Sequence, residues 1–229
     1  MKRSEINAIL RAGAAFMRSH GYVLPPFADL TPAEFKARRA ELAGLVEARL
    51  GWDVTDYGKG DFASTGLMLL TARNGNAADL SAGRGMLYAE KIMISRNRQV
   101  APMHRHVSKA EDIINRGGAV LAVELFMSGA DGSLDRTATV SVPVDGVMRE
   151  MEAGAVLRLG PGESVTLLPG VWHEFWGEGG DVLIGEVSTV NDDETDNIFA
   201  KPVSRFAEIE EDEAPWRLLV SDYDRWLAG

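Results

Sequence analysis

The chain has 229 residues, enough to bury a core as one domain with an appended segment. Hydrophobic residues make up 45% and charged residues 25%, the balance of an ordinary folded domain, so global disorder is excluded. The formal net charge of −10 argues against binding to nucleic acid or to an anionic membrane surface. The absence of cysteine excludes disulfides, thiolate metal ligands, iron–sulfur clusters and cysteine nucleophiles.

The N-terminal stretch does not have the pattern of a secretory signal. It starts with the basic residues Lys2 and Arg3, but Glu5, Asn7 and Arg11 interrupt it before a continuous apolar run develops. No stretch approaches the ~18 consecutive apolar residues that a membrane span requires. We therefore expect a soluble, cytoplasmic protein.

Two helices are predicted in residues 1–51, which we interpret as a helical segment packed on the following domain. The first has Ser4 as its N-cap and an apolar face at helical spacing. The second begins with a capping box formed by Thr31 and Glu34, continues through apolar residues as far as Leu50, and ends at Gly51.

The periodicity changes at residue 52, where we place the start of a β-domain that continues, with a C-terminal extension, to residue 229. Short segments with strand character alternate with glycine-rich turns, a pattern typical of an antiparallel sandwich or small barrel. The predicted strands are 67–71, 87–95, 100–106, 120–127, 137–143, 156–159, 164–168, 171–176 and 182–190. The acidic run 208–213 is interpreted as a solvated surface segment.

Three of the four histidines have the spacing of metal ligands. His104 and His106 lie two apart, so one strand can direct both imidazoles to the same point. Glu111 can return to that point after a bend, and His173 can reach it from a neighbouring strand after a Pro-Gly turn. Three imidazole nitrogens and one carboxylate suit one divalent ion such as manganese, iron, cobalt, nickel or zinc.

The spacing of these four residues resembles the two motifs of the cupin superfamily, which implies a jelly-roll barrel of antiparallel strands. Three positions depart from the usual motifs. Arg98 stands where a glycine is usual, the proline of the second motif is Pro169 instead of residue 168, and Gly177 replaces an asparagine. The fold hosts oxygenases, isomerases, decarboxylases and binding proteins, so it does not define a function.

A narrower resemblance covers most of the chain, from the first helix to the region around Asn197. Five segments look like the bacterial D-lyxose ketol-isomerase family: LGWDVTDYG at 50–58, YAEKIMI at 88–94, EDIINRGG at 111–118, FWGE at 175–178 and GEVSTVNDD at 185–193. The resemblance implies a manganese-preferring aldose–ketose isomerase that acts on D-lyxose and often on D-mannose.

Such a reaction moves hydrogen between C1 and C2 of a sugar, and we expect the metal to chelate O1 and O2 while an acid and a base transfer protons through an enediol. Four protein ligands leave two positions of a six-coordinate ion for these oxygens, which favours a six-coordinate ion over tetrahedral zinc. The family resemblance implies that this ion is Mn2+. Lys91 and Glu186 are the predicted acid and base, because each is a charged residue within an apolar strand-like segment. The family resemblance favours both.

Two other functions are compatible with the same residues: a metal-dependent cupin dioxygenase and a non-enzymatic sugar-binding cupin. The preferred aldose depends on side-chain placement to within about an ångström and is not readable from the sequence. The amphipathic N-terminal helices are compatible with a homodimer, and the expected partner is a monosaccharide.

Overall fold

The chain folds into antiparallel β-structure with helices concentrated near its N-terminus. The computed structural model describes residues 1–193 and 195–227. The helices are α1 (Arg3–Ser19), α2 (Pro32–Ala37), α3 (Ala43–Glu47), α4 (Ala77–Ala82) and α5 (Tyr223–Trp226), with 3-10 turns at Pro26–Asp29 and Val220–Asp222. The strands are β1 (Gly51–Thr55), β2 (Leu67–Arg73), β3 (Tyr88–Ser95), β4 (Ala101–His106), β5 (Glu111–Ser128), β6 (Leu134–Asp135), β7 (Val140–Val144), β8 (Val147–Met151), β9 (Ala155–Leu159), β10 (Ser164–Leu167), β11 (Trp172–Thr189) and β12 (Asn197–Phe199). The predicted fold class, mostly β with N-terminal helices, is confirmed.

Strand β11 organises the sheet. The strands follow the order β1-β2-β3-β11-β5-β10-β7-β8, with β4 beside β11, β12 beside β4, and β6 and β9 beside β5. β11 pairs with β3 through its C-terminal half, with β4 at its N-terminal end, and with β5 along most of its length. Within residues 1–193 and 195–227, no helix is long and apolar enough to cross a membrane.

Strands β5 and β11 are longer than predicted. The predicted strands 171–176 and 182–190 are two parts of β11, and the predicted strand 120–127 is the second part of β5. The glycines between them lie in irregular positions of the ladder, with register shifts between Glu178 and Val182. Gly118 has a φ of +93°, and a Cβ there would collide with the backbone carbonyl of Asp181. The β5–β11 ribbon bends at this point, which brings His173 and Glu186 of the same strand to one pocket.

Strands β2 and β3 are buried on both faces. Leu69 and Met93 belong to the barrel interior, whereas Leu70 and Ile92 pack with the apolar face of α1. Because successive side chains alternate between faces, the helix converts what would be the solvent face into a second core. The interior face of β3 is therefore also where Lys91 lies.

The N-terminal helix is held by the acidic segment that the sequence assigned to solvent. α1 begins at Arg3 with Lys2 as its N-cap, so the prediction of Ser4 as N-cap was wrong. Ser4 lies in the first turn, where its N–H and hydroxyl donate to Asp212. Arg3 is fully buried and donates to Glu211 and to Asp222. The acidic side chains at 211–213 are thus partners of α1, because its first turn has free N–H groups and a buried guanidinium.

The predicted second helix is two helices. The capping box of Thr31 and Glu34 is confirmed, and α2 starts with proline at its first position. The helix stops at Ala37 and resumes only at α3. Arg38 pairs with the exposed Glu41 in the break, where residues 38–41 are exposed and supply no large apolar side chain to bury a continuing helical face. Gly51 does not end this helix but begins β1.

We expect Arg3→Met to destabilise the fold by about 3 kcal/mol, since it leaves the buried Asp222 without its cation and Glu211 is partly exposed. The matched control is Arg18→Met, which removes an exposed pair with Asp29 and should cost no more than about 1 kcal/mol. Urea unfolding of both variants measures the difference. Equal unfolding midpoints would contradict this role for Arg3.

Candidate active site

The four predicted metal ligands lie together at one end of the barrel interior. His104 and His106 project from β4 in alternation with Arg105, and His173 of β11 is the register partner of His104. The ligand nitrogens of the three histidines lie within 4.8 Å of one another. Glu111 is the first residue of β5, and its Oε1 lies 3.2 Å from Nε2 of both His106 and His173.

The donor atoms of this group fit a divalent cation. The Nδ1 of His104 donates to the Pro102 carbonyl at 2.8 Å and that of His173 to the Val171 carbonyl at 3.1 Å, so each Nε2 keeps its lone pair. His106 Nε2, His173 Nε2 and Glu111 Oε1 are buried and have no hydrogen-bond partner among the described residues. Lone pairs that converge without a donor are stabilised by a positive ion between them.

Two of the four residues, His104 and Glu111, are held in the protonation state that binds a metal. Desolvation, reinforced by the neighbouring His173 and His106, holds the pKa of His104 well below its ordinary value, so its imidazole is neutral at physiological pH. Burial raises the pKa of the Glu111 carboxyl, but Lys109 and His106 outweigh burial and hold that pKa well below its ordinary range. Neutral imidazole and ionised carboxylate are the forms that bind a metal. Burial lowers the pKa of His106, but Glu111 and Asp196 outweigh it and raise that pKa, so a cation at this site would displace a proton from His106.

Lys91 and Glu186, the predicted acid and base, lie side by side on the interior face. They are register partners on β3 and β11, and both are buried. Lys91 Nζ lies 3.6 Å from Glu186 Oε1. Both side chains line the same pocket as the three histidines and Glu111. The structure therefore brings together all six residues that the sequence singled out.

Lys109 was not among the site residues predicted from the sequence. It lies at the centre of the group. Its ammonium is 2.7 Å from Glu111 Oε2 and 2.9 Å from Glu186 Oε1, so it joins a proposed ligand to the predicted base. It is closer to Glu186 than Lys91 is. A lysine in the loop between two strands ordinarily points to solvent, and its position two residues before Glu111 is the one signal that it could turn inward.

Beyond Lys91, a series of ion pairs connects side chains of alternating charge. Lys91 pairs with Asp193 at 3.4 Å, Asp193 pairs with Arg205 at 3.1 Å, and Arg205 pairs with the buried Asp53 at 2.7 Å. Burial raises the pKa of Asp193, but Arg205 and Lys91 outweigh it and hold that pKa far below its ordinary range. Asp193 and Arg205 line the pocket. Asp193 ends the segment 185–193 that carries the family resemblance but was not predicted as a site residue, and nothing in the local sequence indicated Arg205.

Aromatic side chains complete the wall of the pocket. Three aromatic residues lie around His173, namely Trp172, Phe175 and Trp176. Phe175 faces the interior and lines the pocket, whereas Trp172 points to the opposite face of β11. Phe199 of β12 lies over His104, with ring centroids 5.5 Å apart. Arg98, at a position where cupins usually have glycine, has a φ of +60°. The backbone therefore takes the glycine conformation there despite the side chain.

The fold is that of a cupin-like barrel found in sugar isomerases of known structure. The chain superposes on L-ribose isomerase from Cellulomonas parahominis with a TM-score of 0.57 and 16% identity, over 92% of this chain and 98% of that one. L-ribose isomerase from Acinetobacter sp. DL28 gives a TM-score of 0.58 and 14% identity, with the same coverage. At these identities the similarity establishes the fold alone.

The sequence comparison is more specific. The D-lyxose isomerase family model matches residues 1–223. D-lyxose/D-mannose isomerase from Serratia proteamaculans is 48% identical over 231 residues, covering 100% of both chains. The protein of the same name from Escherichia coli O157:H7 is 47% identical over 228 residues, covering 97% of this chain and 98% of that one. The chain belongs to the D-lyxose isomerase family and is an aldose–ketose isomerase, which confirms the resemblance seen in the sequence.

Proposed function

We propose that the protein interconverts D-lyxose with D-xylulose and, more slowly, D-mannose with D-fructose. The observation that carries the proposal is a buried carboxylate, Glu186, between two lysine ammoniums and beside four convergent metal-ligand side chains. The names of the two relatives that are 47% and 48% identical support these substrates. Proton transfer between neighbouring carbons of a sugar through an enediol uses this combination of base, cations and electrophile.

We propose that His104, His106, Glu111 and His173 hold one divalent ion, with Mn2+ preferred and Co2+, Fe2+, Ni2+ or Zn2+ also accommodated. When bound, this ion would supply Lewis-acid stabilisation of the negative charge that develops on the substrate oxygens. Asp196 Oδ2 lies 3.4 Å from His106 Nδ1 without a hydrogen bond between them. A slightly closer approach would let this carboxylate orient the imidazole and make it a better ligand.

Glu186 is the proposed general base. It would take a proton from the carbon next to the carbonyl and return it to the neighbouring carbon, through a cis-enediol. Lys91 would hold or protonate a substrate oxygen, as the sequence suggested. Lys109 is placed for the same task and lies closer to Glu186 and Glu111.

A panel of aldoses tests this proposal. Protein loaded with Mn2+ is incubated separately with D-lyxose, D-mannose, D-xylose and L-ribose, and ketose formation is followed by chromatography. We expect the highest kcat/KM with D-lyxose and a lower value with D-mannose, with no nucleotide required. The absence of ketose from every aldose would overturn the isomerase proposal.

A further inference from the structure

The Asn191 side chain contacts both of the lysines that flank Glu186. Its side-chain oxygen accepts from Lys91 Nζ at 2.6 Å and lies 3.5 Å from Lys109 Nζ. Asp193, two residues further along the chain, pairs with Lys91 as well. One amide oxygen therefore meets both ammoniums that flank Glu186. The position of the Asn191 side-chain oxygen therefore helps to determine where the two ammoniums lie in the pocket.

Asn191 lies just after the end of β11 and is not held by strand pairing. A second asparagine makes the backbone hydrogen bonds that a neighbouring strand would otherwise make to Asn191. Asn74, which follows β2, accepts from the Asn191 backbone N–H at 2.9 Å through Oδ1 and donates to the Asn191 carbonyl at 3.0 Å through Nδ2. Its Nδ2 also donates to the Ala48 carbonyl at 3.2 Å. The side-chain amide thus pairs with the backbone as a neighbouring strand would.

The chain next to Asn74 is closely packed. The next residue, Gly75, packs so closely against the Met86 backbone that a side chain there would collide with it. Asn74 and Asn191 line a second cavity, which shares Leu69 and Asp193 with the metal pocket. Asn74 does not line the metal pocket itself, so we expect it to affect the chemistry through the Asn191 side chain, whose backbone it holds.

We infer that Asn74 is a positioning residue for the isomerisation: it clamps the Asn191 backbone so that the Asn191 side chain holds Lys91 and Lys109 against Glu186. The inference rests on the proposed function, because it assigns the two lysines a part in turnover. A displacement of a catalytic group by about 1 Å can lower the reaction rate about 100-fold. Loss of the clamp should therefore lower kcat without changing metal binding.

The test compares Asn74→Ala, Asn191→Ala and the double variant, all loaded with Mn2+, on D-lyxose. Each single variant should lose on the order of 10-fold in kcat, with KM and metal content unchanged. Because the two residues act in series, the double variant should be no slower than Asn191→Ala. Asn97→Ala is the matched control: Asn97 also accepts from a backbone N–H, that of Gly179, but at an exposed site. It should turn over like the wild type.

Wild-type kcat in Asn74→Ala, or losses that multiply in the double variant as for a merely structural role, would overturn the inference. If Asn74→Ala does not fold, Asn74→Asp keeps the acceptor for the Asn191 N–H and loses the donor. Its kcat should then fall between those of the wild type and Asn191→Ala, and a wild-type value would again overturn the inference. Failure of the proposed function is separate from all these results, since the wild type itself would then form no ketose.

Discussion

Glu186→Gln is expected to lower turnover of D-lyxose by at least ~100-fold, the lower end of what a general base contributes, while the protein retains its metal. Glutamine has the size of glutamate but cannot accept the carbon-bound proton. The variant should fold, because Lys109 keeps its ion pair with Glu111 at 2.7 Å. Glu178→Gln is the matched control. It lies on the same strand and pairs with the exposed Arg158, and it should turn over normally.

Turnover in deuterium oxide tests the role of Glu186 independently. If Glu186 carries the proton through an enediol, the proton exchanges with solvent and the product gains deuterium at the receiving carbon. A hydride shift needs no base near the carbon and leaves the product unlabelled. An unlabelled product together with near-normal turnover in Glu186→Gln would contradict the role proposed for this carboxylate.

His106→Ala is expected to lose most of its bound metal and nearly all of its activity. Loss of a single hydrogen-bond partner of a metal ligand costs about 10–100-fold in affinity, so loss of the ligand itself should cost at least about 100-fold. Elemental analysis after dialysis against metal-free buffer measures the content directly.

His20→Ala is the control for this experiment. The fourth histidine is exposed, with its Nδ1 near the Phe16 carbonyl at the end of α1, and its removal should leave the stoichiometry unchanged. A metal content in His106→Ala equal to that of the wild type would remove His106 from the proposed ligand sphere.

The proposed metal-ligand group could be predicted from the sequence because the patterns that indicate it are local. His104 and His106 share a face by the alternation of a strand, and a Pro-Gly turn places His173 at the start of the next element. Glu186 and Lys91 were found because a charge inside an apolar strand must be paired or functional. Their direct pairing, however, depends on the register of β3 with β11, which no local pattern specifies.

The rest of the site depends on contacts distant in sequence. Lys109 turns inward because Glu111 and Glu186 together compensate its burial, and these two carboxylates lie on different strands. Arg205 reaches the pocket from the irregular segment after β12, where it balances Asp53 and Asp193. The bend of the β5–β11 ribbon was predicted as turns because glycine pairs mark both turns and bulges.

The four residues His104, His106, Glu111 and His173 are proposed to support isomerisation through a divalent ion and without oxygen. The most direct measurement follows conversion of D-lyxose to D-xylulose under strict anaerobiosis, first with protein stripped by a chelator and then after Mn2+ is restored. We predict no turnover in the stripped protein and full recovery with Mn2+ in the absence of oxygen. Undiminished turnover without metal would contradict the claim, as would a requirement for oxygen, which would instead indicate a cupin dioxygenase.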